Sequence, residues 1–178
     1  TPLIGRGNLA NVLAATAVAV EFEIPLAAIA ARAAALRPAS RRGEVVALAS
    51  GITLIDDSYN ANPTATKGAL AILGGSPSAS RRVAVLGEML ELGDRAVALH
   101  EDVGRAAVAA RVDVLVTIGG QAPKAMGEAA IGAGLARADV HHFATSEEAV
   151  TAIDGLLRKG DLVLVKGSHG VRTDLVVD

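Results

Sequence analysis

Apolar and polar positions follow two different patterns along the chain. Through residues 8–36 apolar side chains recur at helical spacing in an alanine-rich stretch, with an interruption at residues 21–25. This pattern predicts two short helices. Pro25 suits the first turn of the second helix, and Pro38 ends it. The first 38 residues are therefore expected to form a helical segment of their own.

After Pro38, short apolar runs alternate with helical stretches, which predicts an α/β fold with a mostly parallel sheet. Strands are predicted at residues 44–48, 52–55, 83–86, 114–118 and 162–165, and a further strand carries His141 and His142. Helices are predicted near residues 64–73, 97–110, 123–135 and 146–158. The first two runs are joined only around Ser50 and Gly51, so they form a hairpin that leaves one antiparallel edge strand.

Composition narrows the possible partners and the compartment. The chain carries 17 Lys and Arg against 19 Asp and Glu, a balance too even for the basic stripe that nucleic acid requires. No apolar run approaches the roughly 20 residues that span a bilayer, so no membrane partner is expected. The absence of cysteine fits a reducing, cytoplasmic location. The chain begins at Thr1 rather than Met, which suggests a piece of a longer protein.

Polar segments follow the predicted strands, at the edge where open α/β sheets bind ligands. The densest is DDSYNANP at residues 56–63, and others are Gly87-Glu88, Gly119-Gly120 and KGSHG at residues 166–170. Because side chains alternate along a strand, one of Asp56 and Asp57 can face the cleft while the other caps a turn. Turn formation and capping is also the alternative explanation for the whole first segment.

Lys166, Gly167 and Ser168 offer an ammonium, close backbone approach and a hydroxyl, which suits a carboxylate or phosphate. A solvated lysine is the simpler alternative. His100 is expected to be a surface or half-buried residue rather than a ligand or base. The adjacent His141 and His142 face opposite ways and make a poor metal pair.

Two nucleotide-binding motifs are missing from the sequence. No stretch fits Gly-x-x-x-x-Gly-Lys-Ser/Thr, the loop that cradles ATP phosphates, and no Gly-x-Gly-x-x-Gly opens a helix after a strand.

The order of the motifs nevertheless resembles the MurF branch of the Mur ligases. DDSYNANP at residues 56–63 is followed by VAVLGEMLELG at residues 83–93, and His100, Val103 and the terminal Lys166-Gly167-Ser168 continue the pattern. GRGNLAN at residues 5–11 is similar to the family's Gly-x-His-Asn-x-x-Asn, with Gly7 in place of histidine. Arg42-Gly43-Glu44 is similar to Gly-Arg-x-Glu, with Arg41 in place of glycine, so either arginine could face the phosphates.

The resemblance implies an architecture. Residues 1–38 would be the helical tail of a central ATPase domain, and residues 39–178 would be the Rossmann-like C-terminal domain that brings the incoming amino component. The phosphate loop, the magnesium-binding residues and the UDP site would lie in the missing N-terminal and central domains of the parent protein.

The resemblance also implies a reaction. An ATP-dependent ligase, using ATP with Mg²⁺, would add D-Ala-D-Ala to UDP-MurNAc-tripeptide through an acyl phosphate, in the synthesis of peptidoglycan precursors. Phosphorylation turns a carboxylate that resists amines into one with a good leaving group.

Residue roles follow from the same resemblance. Asn11 would contact adenine, Arg42 the terminal phosphates and Asp57 the ribose. Arg42 and Asn60 would be catalytic, with Tyr59 and Asn60 close to the reacting groups. Lys166 and Ser168 would hold the free carboxylate of D-Ala-D-Ala, with His169 and the Gly87-Glu88 loop nearby.

Two other classes compete with this interpretation. A phosphorelay receiver also has an acidic pair and a lysine at strand ends, but the run at Val114–Ile118 ends in Gly119-Gly120 rather than in an aspartate. The isolated chain could also be a non-catalytic ligand-binding module, because the phosphate loop is absent.

Overall fold

A computed structural model describes residues 1–77 and 79–178. The helices are α1 Arg6–Glu21, α2 Leu26–Ala35, α3 Pro63–Gly74, α4 Ala96–Ala109, α5 Gln121–Gly132 and α6 Ser146–Leu156. The strands are β1 Glu44–Ala47, β2 Thr53–Asp57, β3 Arg81–Gly87, β4 Val114–Ile118, β5 Val140–Phe143 and β6 Asp161–Lys166. Short 3₁₀ turns at His169–Val171 and Thr173–Val176 close the chain.

The six strands form one sheet in the order β1-β2-β6-β3-β4-β5. β1 pairs antiparallel with β2, and the other pairs are parallel. The mostly parallel sheet with one antiparallel edge strand is therefore confirmed. β6, the last strand in sequence, lies between β2 and β3, so the end of the chain supplies the middle of the sheet.

Side chains that alternate along the inner strands build a core on each face of the sheet. In β3, Ala84 and Leu86 pack with α3, α4 and α5, whereas Val83 and Val85 pack on the face that carries α6. In α4, Gly104 lies so close to the carbonyl of Met126 in α5 that a Cβ would collide with it. The residues from 39 onward, called the sheet region below, thus have a core of their own.

Helices α1 and α2, called the helix pair below, are confirmed as two short helices, but neither contains a buried residue. Large apolar side chains in these helices and in the turn between them are exposed: Leu9, Leu13, Val18, Val20, Phe22 and Leu26. Gly5 lies against Ile72 of α3, which brings the start of the helix pair next to the sheet region. None of the described helices is both long and apolar enough to cross a bilayer.

Candidate functional site

The segment after β2 divides into structural and outward-facing residues. Asp56 is buried, and its Oδ1 accepts hydrogen bonds from the Ser58 N–H at 3.1 Å and the Ser58 hydroxyl at 2.6 Å. Asn62 caps α3 by accepting from the Ala65 N–H at 2.9 Å, and Pro63 opens the helix. Turn formation and capping therefore account for Asp56, Ser58 and Asn62. The Asn60 Oδ1 also accepts locally, from the Ala61 N–H at 2.8 Å, so turn formation leaves the Asp57 and Tyr59 side chains unexplained.

Asp57 points away from Asp56 and meets Lys166, its partner in the parallel register of β2 and β6. The Lys166 Nζ donates to Asp57 Oδ2 at 2.6 Å and to the Asn60 carbonyl at 2.8 Å. The side chain of Lys166 is only 4% exposed and that of Asp57 is 25% exposed. The alternative of a solvated lysine is thus wrong. An ammonium carries three N–H donors, so one remains for a ligand.

Arg41 and Arg42 have different surroundings. Arg41 adopts a left-handed φ of 60°, the conformation that glycine favours. Its guanidinium binds Asp174 at 2.6 Å and Asp178 at 3.2 Å. Arg42 is exposed and forms no ion pair with the described residues. Arg41 therefore occupies the glycine position of the motif, and Arg42 is the arginine that is free to meet an anion.

Arg42, Tyr59 and His169 stack on one another at the carboxyl end of the sheet. The guanidinium carbon of Arg42 lies 4.1 Å from the centre of the Tyr59 ring, a cation–π distance. The Tyr59 and His169 rings are 5.9 Å apart and inclined by 35°. The stack thus joins the linker before β1, the loop after β2 and the loop after β6 at one place.

The loop after β3 is held by its neighbours on several sides. Glu88 donates its N–H to the Ile118 carbonyl at 2.9 Å, and its own carbonyl accepts from the Ser168 N–H at 3.1 Å. The Ser168 Oγ accepts from the Leu90 N–H at 2.9 Å and lies 3.5 Å from the Ala61 carbonyl. Ser168 is buried, so its hydroxyl links three strand-end loops from within.

His100 is not the surface or half-buried residue expected from the sequence, because it is fully buried. Its Nδ1 lies 2.7 Å from the Ala96 carbonyl, which fixes the proton on that nitrogen, and its Nε2 accepts from the Met89 N–H at 2.9 Å. Burial lowers the pKa of His100, and the Ala96 carbonyl partly offsets this. Sequence reasoning missed this role because its signal was a lone histidine between Leu99 and Glu101.

The predicted site residues fall into two groups. In the first group, contacts join Arg42, Tyr59 and His169, and hydrogen bonds join Lys166 to Asp57 and Asn60, while Ser168 lies beside the Ala61 carbonyl. Asn11 lies exposed in α1, and no hydrogen bond among the described residues connects it to them. In the part of the chain that the structure describes, no three His, Asp or Glu side chains are grouped to hold a metal.

The family model described as "Mur ligase, glutamate ligase domain" matches residues 41–169. The chain therefore belongs to the Mur ligase family, and the sheet region has the fold of this domain. Within the family the similarity is to the MurF type. The UDP-N-acetylmuramoyl-tripeptide–D-alanyl-D-alanine ligase of Mycobacterium tuberculosis is 39% identical over 98% of this chain and 38% of its own length. The Escherichia coli ligase of the same name is 35% identical over 99% of this chain and 37% of its own length.

Solved structures give the same placement. A crystal structure of MurF from Acinetobacter baumannii superposes with a TM-score of 0.85 at 28% identity, over 99% of this chain and 38% of that one. MurF from Thermotoga maritima, solved in complex with ADP, shares the fold with a TM-score of 0.77 at 24% identity, over 98% of this chain and 38% of that one. The chain thus spans less than two fifths of the length of these relatives.

Proposed function

We propose that the chain is the carboxyl-terminal portion of an ATP-dependent ligase that adds D-Ala-D-Ala to UDP-MurNAc-tripeptide in peptidoglycan precursor synthesis. The observation that carries the proposal is the placement of the Asp57–Lys166 pair and of Arg42, stacked on Tyr59, at the carboxyl edge of the sheet. The curated relatives of the chain bear this activity as their name. The γ-phosphoryl group of ATP moves to the tripeptide carboxylate, and the dipeptide amine then displaces phosphate to form the new amide.

The residues fit part of a nucleotide site. Arg42 offers a guanidinium without an ion-pair partner among the described residues, which matches phosphate oxygens. The partly exposed carboxylate of Asp57 can accept from ribose hydroxyls. Asn11 is proposed to contact adenine from α1, and Asn60 and Tyr59 to lie beside the reacting groups. Magnesium ligands are proposed to come from the remaining domains of the longer protein.

The dipeptide carboxylate is proposed to bind at the loop after β6. Lys166 has one N–H beyond the two it uses, and its ammonium is fixed in place by Asp57. The Ser168 hydroxyl lies 3.5 Å from the Ala61 carbonyl, which is long for a hydrogen bond. The hydroxyl can therefore give up this contact to bind a ligand. His169 directly follows Ser168 in the chain and is proposed to complete this subsite.

The boundary between the two domains is proposed to lie near residue 38. The helix pair belongs with the central ATPase domain, because it carries apolar side chains that nothing in the described chain covers. The sheet region carries the dipeptide site and closes onto the central domain, which keeps water away from the acyl phosphate. The isolated chain is proposed to be inactive, and the full protein to work in the cytoplasm.

The test is a ligation assay with the full-length protein, in which phosphate release is measured with ATP, magnesium, UDP-MurNAc-tripeptide and D-Ala-D-Ala. We expect phosphate release to require both UDP-MurNAc-tripeptide and D-Ala-D-Ala. The product should have the mass of these two substrates together minus one water. Lys166→Ala should raise the KM for D-Ala-D-Ala about tenfold or more, because a charge-assisted contact is lost. Release that does not depend on D-Ala-D-Ala would overturn the proposal.

Lys159→Ala is the matched control, because Lys159 is an exposed lysine in the turn just before the opposite end of the same strand. Its KM for the dipeptide should equal that of the wild type. A backbone-amide NMR titration of this chain with D-Ala-D-Ala adds a direct readout, with saturable shifts expected at Gly167 and Ser168.

A further inference from the structure

Glu88 is a glutamate that the sheet fixes in position. It follows β3, and its main chain is bound on one side to Ile118 of β4 and on the other to Ser168 after β6. The next residue, Met89, is held by the buried His100. Glu88 therefore has little freedom to move its backbone, and it stands at the carboxyl edge between the Lys166 loop and the Gly119 turn.

The carboxylate of Glu88 lies across Gly119. Its Oε2 accepts from the Gly120 N–H at 2.9 Å. Gly119 has a φ of 131°, and a Cβ there would lie 2.6 Å from the same oxygen, so glycine leaves the room that the carboxylate occupies. One carboxylate oxygen is thus used for orientation, and the other has no hydrogen-bond partner among the described residues.

Glu88 also forms no ion pair with the described residues. By contrast, Lys166 at the end of the adjacent strand β6 pairs with Asp57 of β2. The unmatched carboxylate calls for a cation that arrives with a ligand.

The spacing to Lys166 suits a dipeptide. Lys166 is in register with Leu86, two residues before Glu88. The strand rise of about 3.3 Å per residue and the strand separation of about 4.8 Å place their Cα atoms roughly 8 Å apart. Two residues of extended chain span about 7 Å, which is close to this separation.

We propose that Glu88 binds the α-ammonium of the incoming dipeptide while Lys166 and its loop bind the carboxylate at the other end. This inference rests on the proposed ligase function and adds the residue that sets the position of the attacking nitrogen. An α-amino group is largely protonated near neutral pH, so the dipeptide arrives as a zwitterion. Two fixed charges of opposite sign then determine its direction in the site as well as its affinity.

The experiment compares Glu88→Gln with wild type in the full-length protein. Glutamine keeps an oxygen for the Gly120 N–H but presents an amide instead of a charge to the ligand. We expect kcat/KM for D-Ala-D-Ala to fall about tenfold or more, with the KM values for ATP and the tripeptide unchanged. Glu91→Gln is the matched control, since Glu91 is an exposed glutamate in the same loop, and it should behave as wild type.

A dipeptide analogue with a hydroxyl in place of the ammonium separates charge recognition from pocket shape. As an inhibitor competing with D-Ala-D-Ala, D-2-hydroxypropanoyl-D-alanine should have the same Ki for wild type and Glu88→Gln. If its Ki rises as much as the KM for the dipeptide, Glu88 shapes the pocket only and the inference is wrong. It is equally wrong if Glu88→Gln ligates the dipeptide like wild type.

Failure of the ligase function itself would look different. In that case the wild-type protein would release no phosphate in response to D-Ala-D-Ala, before any variant is compared.

Discussion

The helix pair and the sheet region are built from the same apolar residue types but use them in opposite ways. Leu13 in α1 is 60% exposed, whereas Leu115 in β4 is 0% exposed. The sheet region encloses a core on each face of its sheet, and the helix pair encloses none. The regular spacing of apolar residues therefore indicates which face of a helix packs against another part of a protein, but it does not indicate which part.

The largest expected effect comes from making the same Leu→Ala substitution once in each region. Leu115→Ala opens a cavity in the core and should reduce the free energy of unfolding of the isolated chain by about 2–5 kcal/mol. Leu13→Ala removes an equal side chain from an exposed position and should change it by less than about 0.5 kcal/mol. Urea unfolding followed by circular dichroism measures both. Equal losses would mean that the helix pair is packed in solution and that the comparison is wrong.

The sheet region was largely predictable because its signals are local. Short apolar runs, intervening amphipathic helices and the brief connection around Ser50 and Gly51 predicted the strands, the helices and the antiparallel edge. The position of β6 between β2 and β3 was not predicted, because pairing between distant strands depends on how the whole sheet packs. That pairing is what brings Lys166 to Asp57.

The candidate site was predictable in its members but not in its contacts. Alternation along a strand predicted that Asp56 and Asp57 would point apart, and in the structure Asp56 binds the Ser58 turn while Asp57 pairs with Lys166. The left-handed φ of Arg41 and its pairing with Asp174 could not be foreseen, since both depend on the chain end folding back. The buried acceptor role of His100 likewise depends on a loop that another strand brings near.

A smaller effect is expected in the pH dependence of the stability of the sheet region, which contains all four histidines of the chain. Burial holds the pKa of His100 below its ordinary 6.5, so the folded state resists a proton that the unfolded chain accepts. The stability from this residue is complete above about pH 6.5 and is lost as the pH falls toward the lowered value. Denaturation midpoints measured between about pH 7 and pH 5 should show the decline.

His100→Gln should flatten that decline, although burial beside Lys124 also lowers the pKa of His142 and leaves some slope. His141→Gln is the matched control and should keep the wild-type slope. An unchanged slope in His100→Gln would mean that the histidine is not closed off from solvent as the structure has it.

The smallest expected effect comes from the largest deletion. Removing residues 1–38 takes away both helices of the pair but no buried side chain, and the contacts that the sheet region loses include the one between Gly5 and Ile72. The free energy of unfolding of the remaining chain should therefore change by less than about 1 kcal/mol. Urea unfolding of the shortened and complete chains measures it. A shortened chain that fails to unfold cooperatively would show that the sheet region depends on the helix pair, and the two would then be one folding unit.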